Sequence, residues 1–350
     1  MNEDNLKYKR AICFCDKKIK KTFKCDWFQI LPIINYVDKD VKTNHYPFIL
    51  EYTYNKNDIV PISQEDIVDE DTSGIFSELN HENNVVRYIL RLLSVVTNHY
   101  FFIYDITDQG WYINLNSNTS EDIKCQYGTR IYYDENFKDE MYIYKFSETE
   151  FEEVNNIEHS RYYTHPDIDN QLKNELTIGE YTELFFDSLK KLDDLKKQYF
   201  DSAVTLINNG MKIRNDMKSL AFLAFISSIE TMTHLESKIN KEEIEFECNS
   251  CKKIKTSNYK CKKCGSPIWG ISQQIKNYLK KYLSQNEDLN KVINKLYGRR
   301  SQIAHTGNLL MGDIFFDWNN PEEREKHFTE LIAAMQYSKM SLVNYVLYQK

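Results

Sequence analysis

The sequence predicts two architectures in one chain: an α+β domain over residues 1–150, then an all-helical domain over 178–350 that is interrupted at 246–267 by a small four-cysteine insertion. Three observations lead there. Before residue 150, short runs of β-branched and aromatic residues alternate with turn residues. After residue 178, apolar residues recur at helical spacing. Between 246 and 267 they become scarce, and cysteines arrive in two pairs.

At 350 residues, with 41% hydrophobic and 14% aromatic content, the chain is long enough to bury two cores. The first ten residues carry no apolar stretch, and the longest strongly apolar run, Leu220 to Ile229, is too short to span a bilayer. A cytoplasmic, reducing location is therefore expected. The net charge of −7 is unevenly spread: Lys238 to Arg300 holds 15 Lys and Arg against 6 Asp and Glu, leaving that segment at +9 and the remainder at −16. A polyanion would meet the basic segment first.

In the first domain, strand-type runs are Ala11–Cys15, Phe28–Leu31, Phe48–Tyr54, Tyr100–Tyr104, Trp111–Leu115, Arg130–Tyr133 and Met141–Phe146. Asp108-Gln109-Gly110 suits a hairpin turn. Asn84 reads as the N-cap of a helix carrying Val85, Val86, Ile89, Leu90, Leu93 and Val96. Glu65 to Glu82 contains seven acids and neither Lys nor Arg. It reads as a solvated loop, or alternatively as an acidic mask over a basic groove. Cys13, Cys15, Cys25 and Cys125 lack ligand spacing and read as small apolar residues. No phosphate-binding glycine loop or Ser/His/Asp constellation occurs here. Residues 151–177 are polar and acidic, with Pro166 within and Gly179 just beyond as punctuation, and read as a linker.

Helices follow. Tyr181 to Asn209 is one helical stretch with room for a break, and Asn215 to Ile239 is the next. Leu220 to Met232 is apolar nearly all the way round, as befits the buried centre of a bundle. Glu230 is its only charged residue: either a satisfied core acid or the partner of Arg299 or Arg300. A further helix runs from Asp288 to a stop at Gly307. On a helical wheel from Leu289, the residues Ile293, Leu296 and Ile303 fall within roughly 40° of zero and Arg300 at roughly 20°, which puts an arginine on the apolar face. A buried guanidinium needs a carboxylate, a phosphate or a wet groove. The last helix starts at Pro321 behind Asn320, with an acidic first turn and an apolar stripe of Phe328, Leu331, Ile332, Met335, Leu342 and Val346.

The insertion holds Cys248-x2-Cys251 and, nine residues on, Cys261-x2-Cys264. Each pair can present two thiolates to one tetrahedral zinc ion, and Gly265-Ser266-Pro267 suits a turn after the last cysteine. Four protein ligands leave no open position, so the zinc is expected to be structural. Lys252, Lys253, Lys255, Lys260, Lys262 and Lys263 lie between or beside these cysteines, with Tyr259 among them. They read either as an RNA contact, with the tyrosine stacking a base, or as a solvated knob.

Arg300-Ser301-Gln302-Ile303-Ala304-His305, followed by Thr306-Gly307 near the end of a helical domain, resembles the Arg-x4-6-His motif of the HEPN superfamily, in its Apea-like branch. Tyr199–Ile207 with Leu220–Met232, and the helix after Pro321, share the resemblance, which covers roughly 178–350. It implies a HEPN-like helical bundle with catalytic Arg300 and His305, and a homodimer in which two motifs face one cleft. It also implies a metal-independent endoribonuclease of the kind found among toxins and anti-phage effectors. The N-terminal domain would then be the sensor of a trigger the sequence does not name. Ser301 stands where the family favours Asn, Asp or His. Arg299, six residues before His305, satisfies the looser spacing, so the choice between the arginines is open and the apolar-face argument favours Arg300. Glu230 matches an acid often present on this helix. The alternative is a non-catalytic nucleic-acid-binding or interaction module of the same fold. A zinc hydrolase is disfavoured by the four thiolates.

Overall fold

The computed structural model of the chain describes residues 5–33, 45–60, 70–103, 125–127, 132–134, 142–164, 176–239, 244–247, 250–257, 264, 271–283, 287–314 and 320–348. It divides into two compact units, Met1–Glu158 with Asp167–Glu180, and His159–Pro166 with Tyr181–Lys350.

The first unit is built on an antiparallel sheet. Its strands are β1 (Leu6–Cys15), β2 (Phe23–Cys25), β3 (Phe28–Pro32), β4 (Tyr46–Asn55) and β5 (Phe101–Phe102), ordered β2-β3-β4-β1-β5, and β8 (Tyr142–Ile143) also pairs with β1. Strands β1 and β4 pair along their whole length, Leu6 opposite Asn55 through Cys15 opposite Tyr46. Successive residues Ala11 to Cys15 point to opposite faces and are all buried, so β1 is covered on both sides. Helix α1 (Glu70–Val96) lays Val86, Ile89, Leu90, Leu93 and Val96 into the core. Shorter pairings join β6 (Cys125–Tyr127) to β7 (Tyr132–Asp134), and β9 (Asn155–Ile157) to β10 (Thr177–Gly179) in parallel.

Two expectations for this unit need correction. Asn84 is an exposed residue inside α1, and the acidic stretch is helical from Glu70 onward. The reason is that its acids have partners on the sheet: Glu82 lies 2.8 Å from Lys9 Nζ, and the Tyr54 hydroxyl donates to both Glu78 and Glu82 at 2.9 Å. Charge that looks unpaired along the chain is paired across it. Asp108-Gln109-Gly110 and Trp111–Leu115 lie outside the described residues.

The second unit is helical: α2 (His159–Thr164), α3 (Thr182–Leu189), α4 (Asp194–Ile213), α5 (Lys218–Ile239), α6 (Ile271–Tyr282), α7 (Glu287–Ser301) and α8 (Pro321–Leu347), with a hairpin of β11 (Ile244–Glu247) and β12 (Ile254–Ser257) between α5 and α6. Helix α5 packs against α4, α6, α7 and α8 through Phe222, Phe225, Ile226, Ile229 and Met232, which are all buried. The break between α3 and α4 is made by Asp193, whose carboxylate accepts the Lys196 amide at 2.9 Å. Asn320 caps α8 in the same way through the Glu323 amide, with Pro321 in the first turn. Within the span read as a linker, α2 joins the helical unit, where His159 Nε2 meets Asn344 Oδ1 at 2.8 Å. No helix among the described residues is long and apolar enough to cross a membrane.

Candidate active site

Helix α7 buries Leu289, Ile293 and Leu296, the face the wheel defines. Its last turn then changes winding. Residues Gln302–Thr306 form a π turn, in which Gly307 N–H reaches back five residues to the Gln302 carbonyl, and Gly307 closes it in the left-handed region at φ 67°. A side chain would strain that backbone, which is why glycine stands there.

The wider turn decides the geometry of the motif. On an α-helix, residues five apart lie about 140° from each other. Here Arg300 Nη1 is 3.4 Å from His305 Nε2, because one extra residue in the turn carries His305 round onto the arginine's side. Turns of this type recur at functional sites. His305 and Ser301 are exposed.

Glu230, from the middle of α5, holds the guanidinium from the other side: Arg300 Nε is 3.2 Å from Oε1 and Nη2 is 3.5 Å from Oε2. The Tyr297 ring, one turn before Arg300, lies 5.9 Å from its guanidinium carbon, within cation–π reach. Burial, and then the nearby Glu230 carboxylate, push the Tyr297 hydroxyl above its ordinary range, against the lowering effect of Arg300. The hydroxyl therefore stays protonated beside the pair.

The apolar-face argument for Arg300 is corrected in one respect. Its side chain keeps 26% of its surface exposed, whereas Arg299 keeps only 10%. The reason is a carboxylate absent from the sequence expectations: Glu330 on α8, 2% exposed, accepts from Arg299 Nε at 2.8 Å and also lies 3.4 Å from Lys295 Nζ. Arg299 Nη1 donates to Gln302 Oε1 as well. Arg299 is thus held between α7 and α8, and Arg300 is the arginine that faces solvent and the histidine. The Phe328 expectation fails for a related cause. At the start of α8 the buried face carries His327, Glu330, Leu331 and Ala334, which leaves Phe328 57% exposed.

In the insertion, Cys251 is half-buried and Cys264 exposed, and Cys248 and Cys261 lie outside the described residues. Lys252 and Lys253 are exposed. Lys255 lies in β12, and Tyr259, Lys260, Lys262 and Lys263 fall outside the described residues. Among the described residues no three His, Cys, Asp or Glu side chains are grouped to hold a metal. Cys13, Cys15 and Cys25 are buried in the first unit, and burial pushes the Cys13 and Cys15 thiols well up, as expected of inert packing residues.

No family model, curated protein or solved structure matches this chain. Its function is read from the chemistry of the site itself.

Proposed function

We propose that the helical unit is a HEPN-type, metal-independent endoribonuclease that acts as a homodimer. One observation carries this reading: the π turn that puts the Arg300 guanidinium and the His305 imidazole within 3.4 Å at an exposed helix end. RNA brings its own nucleophile. Cleavage needs a base for the 2′-hydroxyl proton, a cation for the charge on the phosphorane, and an acid for the departing 5′-oxygen. An imidazole exchanges protons near neutral pH, and a guanidinium clamps phosphate oxygens without losing its charge. The bond from the 2′-oxygen to phosphorus forms as the bond to the 5′-oxygen breaks, with protons passing through the two His305 side chains of the dimer. Glu230 aligns Arg300 without saturating it, and the Ser301 hydroxyl is exposed beside them. The dimer rests on the family resemblance and is supported by exposed apolar residues around the site, Met217, Leu220, Leu309, Ile314 and Phe328. On the same resemblance the protein is a cytoplasmic toxin or anti-phage effector, with the sheet unit as its sensor.

The insertion fits a structural zinc ribbon. β11 and β12 pair antiparallel, with Glu247 opposite Ile254, so Cys248 and Cys251 fall in the tight loop that joins them. Lys252 is the one non-glycine with positive φ (55°) among the described residues, and it directly follows the second cysteine of its pair, the place Gly265 takes after Cys264. A left-handed lysine costs about 1–2 kcal/mol and persists where surroundings over-determine it. A bound zinc would do so, held by Cys248, Cys251, Cys261 and Cys264; it supplies folding energy to the insertion and takes no part in cleavage.

Incubation of the purified chain with labelled RNA in EDTA tests the proposal. Products should end in 2′,3′-cyclic phosphate, and DNA of the same sequence should survive. Binding without cleavage would replace the enzyme with the non-catalytic module, and a requirement for Mg2+ would remove the mechanism.

A further inference from the structure

Past Gly307 the chain runs as an irregular segment, and each of its fixings lands on α5 or α8. The Leu310 amide donates to Ser219 Oγ at 2.8 Å, and the Met311 amide donates to His327 Nδ1 at 2.9 Å. Asp313 Oδ1 and Oδ2 accept the Lys218 and Ser219 amides at 2.8 and 2.6 Å. The first turn of α5 is therefore capped by a carboxylate nearly a hundred residues away in sequence, where a local side chain would ordinarily serve. Leu310 and Met311 are buried, which seats the segment from below.

The same helix that receives this segment at its N-terminus presents Glu230 twelve residues further on, about 18 Å along its axis. Helix α5 thus holds Arg300 directly, through Glu230, and holds the chain leaving His305 through Asp313. His327 completes the hold from α8. We propose that Asp313 and His327 are positioning residues that strap down the segment behind His305, and that the strap releases in acid because His327 can accept the Met311 amide only while Nδ1 is unprotonated. This rests on the ribonuclease reading for its effect on turnover, and on the hydrogen bonds alone for its effect on structure.

The surroundings of His327 set the direction. Its Nε2 has no hydrogen-bond partner among the described residues, with Glu323 at 3.8 Å. Burial first, then Arg299 and Lys326, hold the ring below its usual titration range, against the opposing pull of Glu330 and Glu323. The neutral ring is therefore the folded form, fully present above the ordinary histidine range. The strap is lost as pH falls from there through the lower folded value.

Backbone amide exchange and His305 ring resonances, followed against pH in the full chain, test this without reference to cleavage. The Met311 amide should be protected at neutral pH and lose protection on acidification, after correction for intrinsic exchange. In His327→Gln, which keeps an acceptor that cannot titrate, protection should persist. In Asp313→Ala and His327→Leu the His305 ring signals should shift and its proximity to Arg300 should be lost. Asp313→Asn, which keeps one acceptor, should restore them in part. With RNA, the Ala and Leu variants should lose about tenfold in kcat with KM unchanged, a split expected of misplacement in the transition state. Protection of Met311 that survives acid in the native chain would overturn the release. An unchanged His305 environment in folded Asp313→Ala and His327→Leu chains would overturn the positioning role. Correct amide and ring behaviour in a chain that cuts no RNA would support the strap and dismiss the ribonuclease.

Discussion

Each unit contains an arginine facing a glutamate, and the two pairs are finished differently. In the sheet, Glu51 is fully buried and its oxygens are filled: Arg10 approaches through Nε and Nη2, Gln29 Nε2 donates at 2.6 Å, and Ser147 gives both its amide at 2.8 Å and its hydroxyl at 2.6 Å. In the helical unit, Arg300 meets Glu230 at 3.2 and 3.5 Å and His305 at 3.4 Å, which leaves guanidinium N–H groups over among the described residues. A saturated pair is a fastening. An unsaturated one, part-exposed and beside an imidazole, keeps donors for a ligand. Arg299, locked onto buried Glu330, shows that neighbours in sequence can fall on opposite sides of this distinction.

The sharpest way to break the comparison is to remove each pair. Arg300→Ala or His305→Ala should lower RNA cleavage by at least about 10²–10⁴-fold, the usual worth of a positioned proton carrier or charge clamp, while the unfolding midpoint stays put. Cleavage retained by both variants would show that the open pair is not a site. Glu51→Ala should do the opposite. It strands Arg10 in the sheet and should cost about 3–5 kcal/mol in denaturant titration, with catalysis by the folded fraction unchanged.

Acid should sharpen the contrast. Burial raises the Glu51 pKa, but the Ser147, Arg10 and Gln29 hydrogen bonds outweigh it and hold the carboxyl below its ordinary value. Its stabilisation is therefore complete above the unfolded value of about 4.3 and lost as pH falls through the lower folded one. Glu51→Gln should flatten that part of the stability–pH curve; an unaltered curve would count against the saturation argument. A smaller effect separates the adjacent arginines: Arg299→Ala should destabilise by about 2 kcal/mol or more by stranding Glu330, and Arg300→Ala by less than about 1 kcal/mol. Equal losses would erase the distinction. Smallest of all, zinc measured at one per chain should be removable with a shift in bundle stability below about 0.5 kcal/mol, since α5 has its own core. Metal-free protein as purified would dispose of the ribbon.

Much of this was legible along the chain because it is encoded locally. The buried face of α7, the Asn320–Pro321 start of α8 and the Gly307 stop each depend on residues within a turn or two. What was not legible depends on distant partners. The acids at Glu78 and Glu82 look like a loop until Lys9 and Tyr54 are placed beside them, and Arg300 looks the more buried arginine until Glu330 is found for Arg299. His327 did leave a signal, a polar ring on the apolar stripe of α8. The winding of residues 302–306 left none, because the wheel used to read the motif assumes the regular turn that these residues abandon.

That turn makes the spacing of the motif and the winding of the helix a single unit of inheritance. Four residues between Arg300 and His305 work here because the last turn holds one more residue than an α-turn does. Deleting Ala304 would leave three intervening residues, which ordinary α winding also brings onto one face. The same deletion would rotate everything downstream by about 100°, carrying Gly307 and the anchored segment out of step with α5. The arginine and histidine could be reunited by losing a residue; the rest of the helical unit would then be out of frame with them.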